Sequence, residues 1–156
     1  MASSPTREDD FVSVIIPAYN EADSITDTIR RMSAVLKHHH INGEIIVVND
    51  GSTDETLENT QQAKGVRVIS HPANRGYGAS LKTGLTAAIG KWIFITDADG
   101  TYPVEDFNRL WEYRTHADMI VGMRDPKSQH ISWTRKPGKW VLSLIANYLV
   151  GQKISD

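Results

Sequence analysis

The sequence predicts an α/β protein with a mostly parallel central sheet and helices on both faces. Three observations indicate this class. Short apolar runs with the length and β-branched content of buried strands alternate with stretches whose apolar residues recur at helical spacing. Glycines stand where most of the predicted helices end, and polar loops follow the predicted strands. Such alternation is typical of three-layer α/β/α proteins, which bind ligands outside the carboxyl ends of their strands.

The composition is that of a single globular domain. The chain has 156 residues, of which 40% are hydrophobic and 23% charged, and it contains no cysteine, which excludes disulfides and cysteine-based zinc sites. A formal net charge of −2 does not provide the basic surface that a nucleic-acid partner requires. No apolar run reaches the roughly 18 residues of a membrane span, so we expect a soluble or surface-associated chain. Residues 1–10 predict a disordered tail, and residues 11–156 a single domain.

The first predicted unit is a strand followed by an amphipathic helix. Residues 11–16 form the strand, and we expect Pro17 to end it because proline cannot donate to a ladder. The helix begins near residue 22, and its apolar face has residues at three-to-four spacing: Ile25, Ile29, Met32 and Leu36. A triple histidine at 38–40 is interpreted as a solvated helix end rather than a metal site, and Asn42–Gly43 as the helix stop.

The second unit repeats this order. Residues 44–48 form a strand, and residues 54–63 form a short helix that ends at Gly65. Ser52 or Thr53 can cap this helix, with Glu55 placed for a capping box.

Two further units complete the predicted sheet. Residues 66–69 form a third strand, and the helix after it runs to about residue 88, with Leu81, Leu85 and Ala88 buried. Residues 92–95 are apolar and predict a fourth buried strand. A helix that begins near Pro103 is expected to bury Phe107, Leu110 and Trp111, and residues 119–121 predict a last strand.

Two carboxylates follow the fourth strand, at Asp97 and Asp99. An unpaired buried charge is costly, and a divalent cation is the partner we expect, because oxygen ligands select Mg²⁺ or Mn²⁺. Mg²⁺ typically takes one or two carboxylates together with substrate phosphates. On this short pattern alone, the alternative that both residues only cap a turn before Pro103 stays open.

Two other loops carry candidate ligand-binding groups. Asp50 follows the second strand, and its carboxylate can accept the imide N–H of uracil or the amide and amino N–H groups of guanine. It can equally be a turn residue, since an Asn-Asp-Gly-Ser sequence is common in turns. Residues 74–78 lead into a helix, where free N–H groups and Arg75 could face a phosphate, or form only a tight turn.

Four motifs in order resemble those of the family-2 inverting glycosyltransferases. They are VIIPAYNE at 14–21, VVNDGSTD at 47–54, NRGYG at 74–78 and DADG at 97–100. Together they span residues 11 to about 124. Within this family the chain is most similar to the dolichyl-phosphate mannose synthase and polyprenyl-phosphate glycosyltransferase branch, on the basis of Gly122–Met123–Arg124 and residues 135–156.

The resemblance implies a GT-A, Rossmann-like fold and a nucleotide-diphospho-sugar donor, either GDP-mannose or UDP-glucose. It implies catalytic roles for Asp97, Asp99 and Arg124, and a Mg²⁺ or Mn²⁺ site at the two aspartates, with Asp99 the more direct ligand. The implied nucleotide-sugar-binding residues are Pro17, Ala18, Asn20, Glu21, Asp50, Arg75, Gly76, Asp97 and Ala98.

The same resemblance implies transfer of a hexose, mannose or glucose, to a polyprenyl phosphate, dolichyl or undecaprenyl. Arg124 and Arg135 would position the acceptor phosphate, because the arginine fork matches phosphate oxygens. An acceptor hydroxyl would instead need a carboxylate base, for which Asp125 is the nearby candidate. The basic entry at 135–139 and the apolar helix face after it are typical of an interfacial helix, so we expect a peripheral location at the cytoplasmic face of a membrane.

The family pattern continues past residue 156, so we expect the chain to be a shortened catalytic domain. A truncated, non-catalytic nucleotide-sugar-binding module is therefore an alternative, as is transfer to a saccharide hydroxyl. Nucleotidyl transfer is disfavoured because the loop at 17–21 is not the Gly-rich basic loop that it requires. The oligomeric state is not indicated by any feature of the sequence.

Overall fold

The computed structural model describes residues 10–122, and residues 10–118 of this range belong to one compact unit. In chain order the elements are β1 Phe11–Ala18, α1 Ile25–His38, β2 Asn42–Asn49, α2 Thr56–Gln62, β3 Val66–Ser70, α3 Tyr77–Ala87, β4 Trp92–Ile95, a 3₁₀ turn Val104–Asp106 and α4 Phe107–Glu112. Residues 1–9 of the expected tail, Arg124, Asp125, Arg135 and the C-terminal helix lie outside the described residues. Asp10, the last residue of that tail, is described and pairs with Arg114.

The described strands form one parallel sheet in the order β3-β2-β1-β4. Strand β1 lies between its neighbours, with Ile15 in register with Ile46 on one side and Ile95 on the other. The prediction of a parallel α/β sheet is confirmed. Parallel sheets of this kind are buried on both faces, and β1 and β2 accordingly read as nearly continuous apolar runs.

Helices cover both faces of this sheet. The larger apolar cluster joins Val12, Val14 and Ile16 of β1 to α1, with Phe94 and Phe107 completing it through rings 4.5 Å apart. On the opposite face, α3 packs on β1 and β2 around Ile46 and Val48. Burying one such aliphatic or aromatic side chain contributes about 1.5–3 kcal/mol, so the two clusters hold the layers together.

Pro17 does not end β1, contrary to the sequence expectation, because the strand continues to Ala18. The carbonyl of Ile15 accepts the amide of Thr96 at 3.2 Å, and the carbonyl of Ala18 accepts the amide of Asp50 at 2.8 Å. Alternate residues of a strand face opposite neighbours, so Pro17 faces the β4 side, beyond the last β4 residue, Ile95. Its missing N–H therefore removes no bond from the ladder to β2.

Helix α1 ends before the predicted stop at Asn42–Gly43, which instead begins β2. The left-handed residue at the helix end is His40, with φ 54°. The amide of Ile41 bonds to the carbonyl of Leu36 at 2.9 Å and that of His40 to Lys37 at 3.3 Å, the pattern of a Schellman motif. A histidine thus occupies the position that glycine usually takes.

Two helix details also differ from expectation. Helix α2 begins at Thr56, and the acceptor for the Thr56 amide is Oδ1 of Asp54 at 3.0 Å, so the predicted capping box with Glu55 is wrong. In α3 the fully buried residues are Ser80 and Gly84, whereas Leu85 is 45% exposed. A Cβ on Gly84 would lie 2.5 Å from Cγ2 of Ile15, so small residues let this helix approach the sheet closely.

The ends of the described region depart from the expected pattern as well. Residues 92–95 do form a strand, but it alternates between half-buried and exposed side chains, because β4 has a sheet neighbour on one side only within the described residues. Residues 119–121 form no strand. Over residues 10–122, no helix combines the length and apolar content needed to cross a bilayer.

Candidate functional site

The strand order places a topological switch point at β1. The chain passes from β1 to β2 and β3 on one side, then returns to β4 on the other side of β1. In open α/β sheets, ligands bind in the crevice outside the carboxyl ends of the strands at such a point. The loops after β1, β2, β3 and β4 all begin at this edge, as the sequence predicts, and they carry the predicted site residues.

Side chains fasten the loop after β1 to the loop after β2. Asn20, with φ 56°, accepts the amide of Thr53 at 2.9 Å, and its own amide donates to Oγ of Ser52 at 3.0 Å. The amide of Glu21 donates to Oγ1 of Thr56 at 2.8 Å. These bonds give the Asn20–Glu21 turn a fixed position at the crevice, and they satisfy backbone groups that would otherwise have no partner.

Asp50 is the centre of the loop after β2. Asp50 is buried, with only 3% of its surface exposed. Oδ1 accepts the amide of Arg75 at 3.0 Å, Oδ2 accepts the amide of Gly76 at 2.8 Å, and Nδ1 of His71 lies 2.6 Å from Oδ1. Burial acts to raise the pKa of Asp50, but the hydrogen bonds from His71, Arg75 and Gly76 outweigh it and lower that pKa. The carboxylate is thus ionised and holds the loop after β3.

This arrangement changes the interpretation of residues 74–78. The amides of Arg75 and Gly76 bind Asp50, so they are not among the free N–H groups that we expected to face a phosphate. Gly76, with φ 88°, precedes the first residue of α3, and the Arg75 side chain is exposed beside it. The side chain of Arg75, rather than its amide, is the group available to a ligand.

The loop after β2 also packs directly against the loop after β3. Gly51 has φ +67°, and a Cβ at this position would lie 2.5 Å from the carbonyl carbon of Ala73. Only glycine combines this left-handed conformation with so close an approach of two backbones. Asp50 and Gly51 therefore join the two loops at adjacent positions.

Asp97 and Asp99 lie on the turn that follows β4. Asp97 is half-buried and Asp99 is exposed. Oδ1 of Asp99 accepts the amide and the hydroxyl of Thr101 at 2.9 and 2.8 Å, which is the turn role left open by the sequence. Between the two aspartates, Ala98 is buried and its carbonyl accepts the hydroxyl of Thr28 at 3.1 Å. Helix α1 thus holds Ala98 at the middle of the turn, and the two carboxylate residues lie on either side of Ala98.

Tyr77 connects the carboxylate turn to the start of α3. Its hydroxyl donates to Oδ1 of Asp97 at 3.2 Å. Partial burial and the adjacent charge of Asp97 raise the pKa of Tyr77 to about 12. The hydroxyl therefore remains protonated at neutral pH and can act as a donor to Asp97.

The two aspartates supply carboxylate oxygens of the kind that a divalent cation uses, but they do not form a complete metal site within the described residues. Within residues 10–122, no group of three or more histidine or acidic side chains is arranged to hold a metal. Each aspartate has one oxygen bonded to the protein, to Tyr77 or to Thr101. The second oxygen of each has no hydrogen bond to the described residues. Two carboxylate oxygens with substrate phosphates form the type of donor set that Mg²⁺ uses.

The structure brings most of the predicted residues to one edge of the sheet and adds others. The predicted residues at this edge are Pro17, Ala18, Asn20, Glu21, Asp50, Arg75, Gly76, Asp97, Ala98 and Asp99. Arg124 and Arg135, predicted at the acceptor phosphate, lie outside the described residues. The strand-end rule placed residues 71–78 at this crevice, but the sequence interpretation assigned no role to His71 or Tyr77 within that stretch.

Comparison with known proteins gives consistent matches. Glycosyl transferase family 2 matches residues 13–154. The undecaprenyl-phosphate 4-deoxy-4-formamido-L-arabinose transferase of Pseudomonas savastanoi pv. phaseolicola (strain 1448A / Race 6) is 32% identical over 151 residues, which are 94% of this chain and 44% of that protein. The protein of the same name from Edwardsiella ictaluri (strain 93-146) is 32% identical over 94% of this chain and 46% of its own length.

A solved structure matches the described fold. Glucosyl-3-phosphoglycerate synthase from Mycobacterium tuberculosis, in complex with uridine diphosphate, is 30% identical, with a TM-score of 0.54 over 65% of this chain and 38% of that one. The chain spans less than half the length of the two curated relatives and of this structure.

Proposed function

The chain belongs to glycosyl transferase family 2, and on that premise we propose that it provides the donor site for sugar transfer from a nucleotide-diphospho-sugar to a polyprenyl phosphate. The observation that carries the proposal is the meeting of four strand-end loops at the switch point, with Asp97 and Asp99 at its β4 side. The curated relatives are named as undecaprenyl-phosphate transferases, which supports the acceptor class.

The nucleoside half of the donor is assigned to the loops after β1 and β2. One wall of this part of the site consists of Pro17, Ala18, Asn20 and Glu21. Asp50 faces the base and accepts through the position that its hydrogen bonds to the protein leave unoccupied. The relative solved with uridine diphosphate supports a uridine nucleotide over a guanosine one. The sugar is not specified further, because the relatives' names contain a modified pentose and the sequence resemblance implies a hexose.

The diphosphate half is assigned to Asp97, Asp99 and the side chain of Arg75. When bound, a divalent cation such as Mg²⁺ or Mn²⁺ neutralises charge on the leaving nucleoside diphosphate. The protein's part is to hold the two carboxylates in place, through Tyr77 on one and Thr101 on the other. The cationic Arg75 adds a charge-assisted contact to a phosphate oxygen.

The acceptor chemistry needs no strong base. A phosphate monoester has a second pKa of about 6 and is largely dianionic at neutral pH. One of its oxygens forms a bond to the anomeric carbon as the bond from that carbon to the diphosphate oxygen breaks, which inverts the configuration. Arg124 and Arg135 are our candidates for holding the acceptor phosphate, on the basis of the family resemblance. Because polyprenyl phosphates are membrane lipids, we propose that the protein acts at a membrane surface.

Titration calorimetry with uridine diphosphate and guanosine diphosphate, with and without Mn²⁺, tests the donor site. We expect metal-dependent binding that Asp99→Asn weakens at least tenfold, a loss of about 1.4 kcal/mol. Asp106→Asn, which changes an exposed aspartate in the 3₁₀ turn, is the matched control and should bind like the parent chain. If the chain binds neither nucleotide, the proposal is contradicted.

Turnover is tested separately, with a short-chain polyprenyl phosphate and a panel of labelled uridine and guanosine diphospho-sugars. Formation of a lipid-linked sugar supports the full reaction. Nucleotide binding without product would instead support the alternative of a nucleotide-sugar-binding module.

A further inference from the structure

We propose that His71 is a specificity-determining residue: by occupying one acceptor position of Asp50, it limits this carboxylate to a single N–H from the nucleobase and so favours uracil over guanine. The inference rests on the proposed donor site, and it assigns a role to a residue that the chemistry of transfer does not use. It depends on how the hydrogen bonds of Asp50 are distributed.

An ionised carboxylate has roughly four acceptor positions, two on each oxygen. In this protein Oδ1 of Asp50 receives Nδ1 of His71 at 2.6 Å and the amide of Arg75 at 3.0 Å. Oδ2 receives only the amide of Gly76, at 2.8 Å. Oδ1 is therefore filled, and one position remains, on Oδ2.

Uracil and guanine place different demands on this carboxylate. Uracil presents one imide N–H, which the remaining position on Oδ2 can accept. Guanine presents an amide N–H and an amino N–H side by side, and both carboxylate oxygens are needed to accept the pair. At Asp50 the second guanine donor would meet an oxygen that is already filled, and a buried donor without an acceptor is costly. This distribution of hydrogen bonds therefore disfavours guanine.

His71 is held in the orientation that this role requires. The two side chains of the pair are each 5% exposed, and Nε2 of His71 lies 2.9 Å from Oγ1 of Thr83 in α3. Because Asp50 is an acceptor only, Nδ1 must carry the proton, and the Thr83 hydroxyl can then donate to a neutral Nε2 or accept from a protonated one. Thr83 thus fixes the ring from the side opposite Asp50.

The test uses the full chain with uridine diphosphate and guanosine diphosphate in the presence of Mn²⁺. If the parent chain binds neither nucleotide, the proposed donor site itself fails. If it binds guanosine diphosphate as tightly as uridine diphosphate, the donor site stands and the role of His71 is overturned. We expect the parent chain to prefer the uridine nucleotide by at least about tenfold, the ratio that one lost charged hydrogen bond produces.

Two substitutions at His71 distinguish its hydrogen bond to Asp50 from its hydrogen bond to Thr83. In His71→Asn the amide nitrogen replaces Nδ1, so the donor to Asp50 is retained and the preference should persist. In His71→Gln the amide extends towards Thr83 and the donor to Asp50 is lost, so the preference should fall about tenfold. His116→Gln, at an exposed histidine, is the control. An equal preference in His71→Asn and His71→Gln would overturn the inference.

If His71→Gln does not fold, as judged by circular dichroism, two substitutions at Thr83 provide the test. Thr83→Val removes the hydroxyl that orients the ring, whereas Thr83→Ser retains it. We expect Thr83→Val to reduce the preference for uridine diphosphate about threefold and Thr83→Ser to preserve it. The same ratio in both variants would show that the orientation of His71 does not control the choice of base.

Discussion

The hydroxyl of Tyr77 donates a hydrogen bond of 3.2 Å to Oδ1 of Asp97 and so joins the first residue of α3 to the turn after β4. Asp50 holds the residues just before Tyr77. The proposed base-binding and cation-binding residues are therefore linked through a short stretch of backbone and one tyrosine. This arrangement lets the roles of individual contacts be tested with single substitutions.

Tyr77→Phe should weaken Mn²⁺-dependent binding of uridine diphosphate about threefold, because Asp97 loses the donor that orients it. The melting temperature should change little, since Tyr77 is 54% exposed. Its pKa is raised to about 12, so the hydroxyl remains a donor and the effect should be the same from about pH 6 to about pH 9. Titration calorimetry checks this, with Tyr113→Phe, at a tyrosine that is 59% exposed, as control. Parallel losses in both variants would contradict the assignment.

The ion pair between Arg31 and Glu105 should contribute to stability in a pH-dependent way. Arg31 binds both carboxylate oxygens of Glu105, at 2.7 and 2.5 Å, and lowers the pKa of Glu105 to about 2. A depressed carboxyl pKa stabilises the fold above the unfolded value, about 4.3, and this contribution disappears as the pH falls towards 2. Because Glu105 is 54% exposed, we expect Glu105→Gln to cost only about 0.5–1 kcal/mol at pH 7.

Urea unfolding at pH 7 and at about pH 3 measures the contribution of Glu105. The difference between Glu105→Gln and the parent chain should shrink at the lower pH, because the unfolded chain then binds a proton that the folded chain still excludes. Asp106→Asn is the control, since Asp106 pairs with an Arg109 side chain that is 77% exposed and not with Arg31. A difference that stayed constant with pH would mean that Glu105 acts through packing rather than charge.

Gly84→Ala should destabilise the protein by about 1–3 kcal/mol, the range found for overpacked sites. A methyl group there would lie 2.5 Å from Cγ2 of Ile15, a β-branched residue that is fully buried. Gly78→Ala, in the same helix but with no atom within 4 Å of the new Cβ, should stabilise by up to about 1 kcal/mol. Thermal and urea unfolding report both values. Similar effects of the two variants would contradict close packing of α3 on β1.

Gly51→Ala should cost more than backbone strain alone. At φ +67° an alanine is strained by about 1–2 kcal/mol, and its Cβ would also lie 2.5 Å from the backbone of Ala73. Gly65 has φ +74° but no atom within 4 Å, so Gly65→Ala measures the strain by itself. We expect the stability loss in Gly51→Ala to exceed that in Gly65→Ala, together with weaker nucleotide binding. Equal losses in urea unfolding would argue against contact between the two loops.

Much of the fold follows from local patterns in the sequence. The four strands and the helices between them are where hydrophobic periodicity predicts them, and the family resemblance and the parallel nucleotide-sugar transferase fold are confirmed. Apolar periodicity does not, however, distinguish a helix face that packs through small residues from one that packs through large ones. For this reason the buried role given to Leu85 was wrong, and that of Gly84 was missed.

The placement of the four strand-end loops at one edge of the sheet was predictable, but the hydrogen bonds between those loops were not. The strand-end rule selected Asp50, Asp97 and Asp99 because polar residues directly follow their strands. Nothing in the sequence indicates that Asp50 binds the amides of Arg75 and Gly76, since that contact depends on how two loops meet in space. The same holds for His71, which lies 21 positions along the chain from Asp50.

Pro17 limits the hydrogen-bond ladder between β1 and β4. If the ladder between β1 and β4 continued, its next hydrogen bond would run from the amide of residue 17 to the carbonyl of Thr96, and proline has no hydrogen to give. The bond from the amide of Thr96 to Ile15 is thus the last that this ladder can form on that side, and the chain leaves the sheet directly before Asp97.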